Sequence, residues 1–313
     1  TAWNLQNLKE ILDMAEAVAG GKEALRRNPF IVCYLEPTPP LIHTKEALEK
    51  LLFCAENHIP SIYTAASIAG TTGPITLAGS IASSIARCLS GLVISQLKKA
   101  GAPVVVSFHT TIFDMKTMIH SYSSPENHLG QLASKAIARY YRLPTFGKSG
   151  CSDSKIFDQQ AVMEADRWIF VEGVAGDNLN HDVGYLESGM STSLELIVAC
   201  EESIASTRRF LRGIDINNQT LALDVIDKVG PQGQFIAEDH TYEYHRKEFW
   251  TPILSDRLNY RQWSESGSSN FCDRVRKRLN TILAEHRPQP LVPDVKERLD
   301  EILQHSAERE NIR

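Results

Sequence analysis

The sequence lacks the paired cysteines, the blocks of charge and the targeting signal by which several classes of protein are recognised. Its six cysteines never show CxxC or CxH spacing, so the pattern that brings two ligands to one zinc or iron ion is absent and no metal ligand is predicted. It has no run of lysines or arginines, and the formal net charge of −5 argues against a nucleic-acid partner. Because no secretory signal pattern is visible, we expect reduced thiols and a cytoplasmic location.

Long hydrophobic runs are scarce as well. The one candidate for a membrane span is the segment 74–97, which contains many serines and has Arg87 near its middle. A charge at the centre of a bilayer costs about 2.5 to 3.5 kcal/mol even on the mildest scale. We therefore expect a buried helix of a globular protein and no membrane partner.

Several short catalytic motifs are missing too. No GxGxxG follows a strand, and GxxxxGK[ST], GxSxG and HExxH do not occur, which leaves dinucleotide, nucleoside triphosphate, serine hydrolase and zincin chemistry unsupported. A Schiff-base aldolase needs a lysine that is kept out of water. Lys148 and Lys155 lie in one polar loop whose residues are expected to solvate them, so a lyase or aldolase is only an alternative.

What the sequence does contain is an alternation of short apolar runs with helical stretches. At 42% hydrophobic and 23% charged residues, the chain can bury a large core. Strands are predicted at 30–36, 60–65, 103–108, 143–146 and 178–182, and helices at 44–57, 74–100, 125–141, 158–176 and 191–212. This alternation predicts an α/β fold with parallel strands. A spacing of roughly 30 to 40 residues per unit favours a TIM (β/α)8 barrel over a doubly wound sheet.

The loops that follow the predicted strands are rich in Pro, Gly, Ser and Thr, whereas the loops that precede them are short. Ligands bind at the carboxyl ends of the strands in such folds, so these loops should build the site. Helix capping by Thr72, Ser124 and Thr192 is the alternative role for some of the hydroxyls. The polar and aromatic candidates near the strand ends are Tyr63, Thr71, Thr72, Phe108, His109, Glu126, Phe146, Cys151, Asp153, Asn180, His181, Asp182, Tyr185 and His240.

The segment NLNHDVG, residues 178–184, leaves two arrangements open. Strand alternation would place Asn180 and Asp182 on one side and His181 on the other. If the strand continues through this segment, Asn180 and Asp182 face the barrel interior. If it ends at Asn180, His181 is free at the mouth of the barrel.

Four ordered strings of the sequence resemble the trimethylamine methyltransferase family, from about Phe30 to the end of the chain. They are IAGTTGPITLAGSIA, PENHLGQLASKAIARYYRLPTF followed by SDSKIFDQQAVMEA, NLNHDVGYLESGMSTSLELIV, and EDHTYEYHRKEFWTPILSDRLNYRQW. The resemblance implies a TIM barrel that moves a methyl group from a methylated amine to the cobalt of a separate corrinoid protein. The cobalamin would thus come with the partner, and none would be bound covalently. With only standard residues, the chain is similar to the branch without pyrrolysine, whose members act on quaternary amines such as glycine betaine, carnitine or proline betaine.

The resemblance also implies roles for the candidate residues. A quaternary ammonium leaves as a neutral amine without a general acid, so catalysis would depend on position and desolvation. We expect His181 to be catalytic, as a ligand contact or near the cobalt, with Asp182 orienting it. Aromatic faces would bind the cation, and backbone amides near Thr71 and Thr72 would bind a substrate carboxylate. The predicted substrate-binding residues are Tyr63, Thr71, Thr72, Phe108, Glu126, Phe146, Cys151, Asp153, Asn180, Tyr185 and His240.

The predicted organisation is a single domain. Residues 1–212 would hold the βα units of the barrel, and residues 213–313 the end of the barrel and a helical C-terminal extension. Only five strands are predicted, and members of the family run longer at the amino end, so we expect the first barrel strands to be missing. The alternatives to methyl transfer are a lyase or aldolase, a betaine-binding module without catalysis, and a truncated, inactive barrel. A homo-oligomer is left open.

Overall fold

The computed structural model describes residues 2–64 and 66–309. In chain order, the helices are α1 Leu5–Ala19, α2 Lys22–Arg27, α3 Lys45–Asn57, α4 Leu77–Lys98, α5 Pro125–Tyr140, α6 Gln159–Ala175, α7 Leu194–Leu211, α8 Asn218–Leu221, α9 Leu223–Val229, α10 Asp239–Glu248, α11 Tyr260–Glu265, α12 Phe271–Glu285 and α13 Pro293–Arg309. The strands are β1 Cys33–Leu35, β2 Ser61–Thr64, β3 Ser67–Ala69, β4 Val104–Ser107, β5 Thr110–Asp114, β6 Ile119–Ser121, β7 Phe146–Lys148, β8 Leu179–His181, β9 Tyr185–Leu186 and β10 Ser191–Thr192.

Five short strands form a parallel wall in the order of the chain. β1 pairs with β2, β2 with β4, and β7 with β8, all in parallel. A parallel bridge between Val106 and Thr145 joins β4 to the segment that leads into β7. The helices α3, α4, α5, α6 and α7 follow these strands in turn, so the repeated unit is strand, loop, helix. The α/β class is therefore confirmed.

A closed barrel is not found among the described residues. The strand pairs fall into small sheets, and no pairing joins β1 to β8. The unbroken chain order of the wall is that of consecutive barrel units and shows no reversal of the kind found in doubly wound sheets. The predicted eight-stranded TIM barrel is therefore not confirmed in the described residues.

Local chemistry sets where the helices begin. Ser124 caps α5 by accepting a hydrogen bond from the Asn127 amide, with Pro125 at the first helical position, as the sequence indicates. The predicted cap of α7 is wrong by one residue, because the Ser193 hydroxyl and not Thr192 accepts from the Leu196 amide. Likewise α4 begins at Leu77 after Thr76, three residues later than predicted.

Helix α4 lies over the strands and contributes to the core. It has 22 residues and is long and apolar enough to cross a membrane by length and composition. It also contacts α3, β2, β4 and α5, and core helices commonly pass the same test. Arg87, only 1% exposed, donates from Nη2 to the Ser67 hydroxyl at 3.0 Å. These contacts agree with the predicted buried helix.

The helices after α7 pack back onto the βα units without adding a strand in the described residues. α12 packs against α7, and α13 returns to α1, where the Ser306 hydroxyl donates to Glu10 at 2.9 Å. On α7, the Glu202 carboxylate accepts three consecutive amides, from Ile253, Leu254 and Ser255. The extension is helical as predicted, and Glu202 fixes its residues 253–255 to α7.

Candidate active site

A cavity of about 240 Å³ opens at the carboxyl ends of the parallel strands. Every strand of the wall, or the loop after it, contributes to its lining. These contributions include Tyr34 and Glu36 from β1 and its loop, Thr64 from β2, Ser107 from β4, Lys148 from β7 and His181 from β8. This is the end of the sheet at which the loop composition predicts a site.

His181 and Asp182 form a hydrogen-bonded pair at the edge of this cavity. β8 ends at His181, and Asp182 follows with a left-handed φ of 69°. That turn breaks the strand alternation and brings the Asp182 carboxylate to the same side as His181, with Nδ1 and Oδ1 2.5 Å apart. Both alternatives left open by the sequence are therefore incomplete, because His181 and Asp182 both line the cavity whereas Asn180 is exposed and does not.

The His181 ring is held on two sides. It stacks on Phe146 with ring centroids 4.5 Å apart and an interplanar angle of 14°. An Nδ1–H donated to Asp182 leaves Nε2 as the nitrogen with the lone pair. The Asp182 side chain is 5% exposed and that of His181 37%, so the carboxylate is buried behind an imidazole that solvent can reach.

Tyr34 and Tyr122 complete the aromatic lining, and neither is among the predicted site residues. The Tyr34 ring lies 5.8 Å from the Phe146 ring and 6.1 Å from the His181 ring. Side chains of β1 and β8, the two outermost strands of the wall, therefore meet. Tyr122 follows β6 and contacts the His120 ring at 5.1 Å. Tyr34 lies in the predicted strand 30–36. The alternation of side chains along that strand was the signal that could have placed Tyr34 at the site. Tyr122 lies in a long loop without a periodic pattern.

The surroundings of Lys148 differ from those predicted. Its side chain is 2% exposed, and its Nζ lies 3.7 Å from the centre of the Tyr122 ring and 5.2 Å from that of Trp168. The expectation that polar neighbours solvate it is wrong, because the side chain leaves the end of β7 between two rings. Burial lowers the pKa of Lys148 to about 8. Lys155, in contrast, is exposed.

The carboxyl side chains that line the cavity outnumber its one lysine. They are Glu36 and Asp182, and the lysine is Lys148. Burial raises the pKa of Glu36 and lowers that of His120 to about 4, and it keeps the pKa of His109 well below its usual range. Both histidines are therefore neutral near pH 7, and a cation that enters the cavity would meet acidic groups without competition from an imidazolium of His109 or His120.

Two of the predicted aromatic residues lie behind the wall and not in the cavity. The Tyr63 hydroxyl is 2.6 Å from His43 Nδ1, and its ring packs against Gly91 of α4. Phe108 packs with Cys88, Val106 and Ala138. At both strand ends the neighbouring small residue, Thr64 or Ser107, faces the cavity instead. These strand ends therefore contribute a small polar side chain to the cavity and not the predicted aromatic ring, because the phase of each strand differs by one residue from the prediction.

The predicted carboxylate site at Thr71 and Thr72 is not available in this arrangement. The amides of Thr71, Thr72 and Gly73 all donate to the carbonyl of Ile68, and the Thr72 hydroxyl accepts from the Ile68 amide. The turn thus satisfies its own donors. Because α4 begins only at Leu77, no free helix start lies at this position.

The remaining candidates have local partners. Asp153 accepts from the Ser121 and Ser188 hydroxyls and from the amides of Tyr122 and Ser123. Burial opposes ionisation of Asp153, but these bonds outweigh it and lower the pKa. Asp153 therefore positions the loop that carries Tyr122. The residues that do not line the cavity are Glu126, exposed at the start of α5, Cys151, which is fully buried, Tyr185 on β9, and His240, whose Nε2 contacts the Gln219 carbonyl.

Comparison with known proteins shows the family of this chain. Residues 2–310 match the family model of trimethylamine methyltransferase, MTTB. Trimethylamine methyltransferase MttB of Desulfitobacterium hafniense (strain DSM 10664 / DCB-2) is 35% identical over 301 residues, which are 96% of this chain and 60% of that protein. Glycine betaine methyltransferase of Desulfitobacterium hafniense (strain Y51) is 31% identical over 295 residues, 94% of this chain and 61% of that protein.

An archaeal relative gives the same result. Trimethylamine methyltransferase MttB of Methanosarcina thermophila is 31% identical over 291 residues, 93% of this chain and 60% of that protein. The chain thus spans about 60% of the length of the curated relatives that it matches. The match extends over nearly all of its own residues, and the chain belongs to the trimethylamine methyltransferase family.

Proposed function

We propose that the whole protein transfers a methyl group from a quaternary, betaine-like methylated amine to the cobalt of a corrinoid protein. The partner would dock over the carboxyl ends of the strands. The observation that carries the proposal is the cavity, which combines aromatic side chains with two carboxyl groups and one lysine. Six cysteines without CxxC or CxH spacing suit the reducing cytoplasm in which we place this reaction.

The size of the cavity supports a small substrate and an external cobalt. A volume of about 240 Å³ is below the range of about 300 to 1,000 Å³ typical of drug-sized ligands. It corresponds to about eight water molecules at about 30 Å³ each. A small methylated amine fits this space, and a corrin macrocycle does not. The volume supports a corrinoid that is presented at the mouth of the cavity by another protein.

The chain's own residues would bind and position the cation. The ring of Tyr34, which lines the cavity, offers a cation–π contact worth about 0.5 to 2 kcal/mol, whereas Phe146 lies behind the imidazole of His181 and supports it. Glu36 and Asp182 supply the counter-charge, and His181, fixed by Asp182 and Phe146, contacts the substrate at the open side of the cavity. Holding the methyl carbon in line contributes through proximity, which accounts for about 7 to 11 kcal/mol in well-oriented reactions.

The chemistry of the departing group explains why no strong acid or base is needed. The cobalt, when bound at the mouth, supplies the electron pair that takes the methyl carbon. The electrons of the broken C–N bond stay on nitrogen, so a quaternary ammonium leaves as a neutral tertiary amine and no proton moves. His181 then acts as a positioning contact for the substrate and not as a general acid. Family membership favours this chemistry over the lyase or aldolase alternative.

Mixing the whole protein with candidate betaines and a reduced corrinoid protein tests the proposal. We expect the cobalt(I) absorbance to decay with a quaternary amine present. His181→Ala should lower kcat by about 100-fold, as expected when a reacting group is misplaced by about 1 Å, while circular dichroism stays unchanged. His305→Ala, at an exposed position of α13, is the matched control. Absence of any cobalt change with every methylated amine would refute methyl transfer.

A further inference from the structure

Lys148 is a buried group of the cavity that has no role in the proposed function. Its Nζ has no hydrogen-bond partner among the described residues and is covered by the face of Tyr122. A ring face satisfies a cation only in part, and an ammonium has three hydrogens to donate. Buried charges in proteins are normally paired. Lys148 therefore lacks an anionic partner on the side where it lines the cavity.

The acidic side chains of the cavity make contacts to residues other than Lys148. Asp182 binds His181 through Oδ1 while its Oδ2 has no hydrogen-bond partner among the described residues, and Glu36 accepts from the Tyr34 hydroxyl at 3.5 Å. No ion pair joins either carboxylate to Lys148 within the part of the chain that the structure describes. The lysine side chain is long and flexible, so its ammonium can turn from the ring toward the cavity.

The register places Lys148 beside the residue proposed to contact the substrate. In the β7–β8 pair, Lys148 lies directly opposite His181, and Phe146 lies two residues before Lys148 on the same face. An anionic group bound by Lys148 would thus be only one strand away from the imidazole and from the aromatic faces that would hold the methylammonium.

We propose that Lys148 binds the carboxylate of the substrate and thereby selects a zwitterionic betaine over an amine without a carboxylate. This inference rests on the proposed function. It replaces the self-bonded turn at Thr71 and Thr72 as the carboxylate site. The cation would pair with Glu36 and Asp182 and the carboxylate with Lys148, so a zwitterion would satisfy both signs of charge in the cavity.

Calorimetric binding of two probes tests the selection directly. Glycine betaine and choline share the trimethylammonium group, but choline carries a hydroxymethyl group in place of the carboxylate. We expect the whole protein to bind glycine betaine about tenfold tighter or more, as expected of a charged hydrogen bond. Lys148→Met should remove this preference by weakening betaine and not choline, and Lys148→Arg should retain part of it. Lys155→Met, at the exposed lysine of the same loop, is the control.

The pH dependence of the wild-type protein gives a second measurement that needs no variant. The pKa of Lys148 is about 8, so affinity for glycine betaine should fall as the pH rises through that value, and affinity for choline should stay constant or increase. The titratable groups around Lys148 are Cys151, Asp153, Glu172, Asp182, His109, His120 and His128. Burial raises the pKa of Cys151 and lowers those of the three histidines, so these four groups stay neutral in this range, and the pKa of Asp153, despite its burial, is lowered by hydrogen bonds. The pKa of Glu172 is also about 8, and the measurement with choline is the control for its titration.

The outcomes separate this inference from the proposed function. Equal affinities for glycine betaine and choline in the wild-type protein, or parallel losses for both in Lys148→Met, would overturn the role of Lys148. Methyl transfer from glycine betaine and choline at equal rates would also overturn the role of Lys148, but it would leave the proposed function intact. Betaine selectivity that depends on Lys148 but is accompanied by no methyl transfer would support the binding role and refute the reaction.

Discussion

Lys135 should be one of the most sensitive positions for stability, because it neutralises a carboxylate buried behind the site. Its Nζ lies 2.7 Å from Asp177 Oδ2 and 3.7 Å from Glu172 Oε2, and it donates to the Phe146 carbonyl at 3.2 Å. The three side chains are at most 3% exposed. A Cβ on Gly147 would lie 2.1 Å from Asp177 Oδ2, so the cluster packs directly against β7.

The magnitude follows from the charges of this cluster. Burial raises the pKa of Glu172 to about 8, so Glu172 is largely neutral at pH 7 and Asp177 is the closest acidic partner of Lys135. Lys135→Met fills similar space but leaves that carboxylate without a counter-charge. Removing one partner of a buried pair costs about 3 to 5 kcal/mol, whereas exposed pairs are worth about 0 to 1 kcal/mol. We expect a loss of about 3 to 5 kcal/mol in the free energy of unfolding.

Urea unfolding at pH 7, followed by circular dichroism, measures this loss. Lys45→Met removes a lysine that is 81% exposed from an i,i+4 pair with Glu49 and should change stability by less than about 0.5 kcal/mol. The double variant Lys135→Met with Asp177→Asn should recover a large part of the loss, since both charges are then gone. A loss below about 1 kcal/mol for Lys135→Met, or no recovery in the double variant, would show that the cluster is not an interacting buried pair.

Three further changes have defined expectations. Glu202→Gln should loosen the segment 253–255 by about 2 kcal/mol, measured as faster amide exchange there, because the carboxylate that accepts its three amides loses its charge. Gly91→Ala should cost about 1 to 3 kcal/mol in urea unfolding, since its Cβ would lie 2.2 Å from the Tyr63 ring. The raised pKa of Glu172 stabilises the folded state below the ordinary value of 4.5, and this is lost as the pH rises toward about 8. Glu172→Gln should flatten that pH dependence of unfolding, and an unchanged slope would contradict the assignment.

The sequence determined the family, the parallel βα units and the end of the sheet where the site lies. These features depend on local patterns: short apolar runs, capping residues such as Ser124, and loops rich in small and polar residues after each strand. The contact between His181 and Asp182 was also predicted, because the two are adjacent in a string that resembles the family.

Only the tertiary structure decided which side chains face the cavity. A strand of three or four residues offers too few alternating positions to fix its phase, so Tyr63 and Thr64 could not be told apart from the sequence. The left-handed turn at Asp182 reversed the expected side of that residue. The meeting of Tyr34 with His181 and the burial of Lys148 under Tyr122 each join segments more than 20 residues apart. Such contacts depend on how the strands curve and pack, and that information is spread over the whole chain rather than held in any one motif.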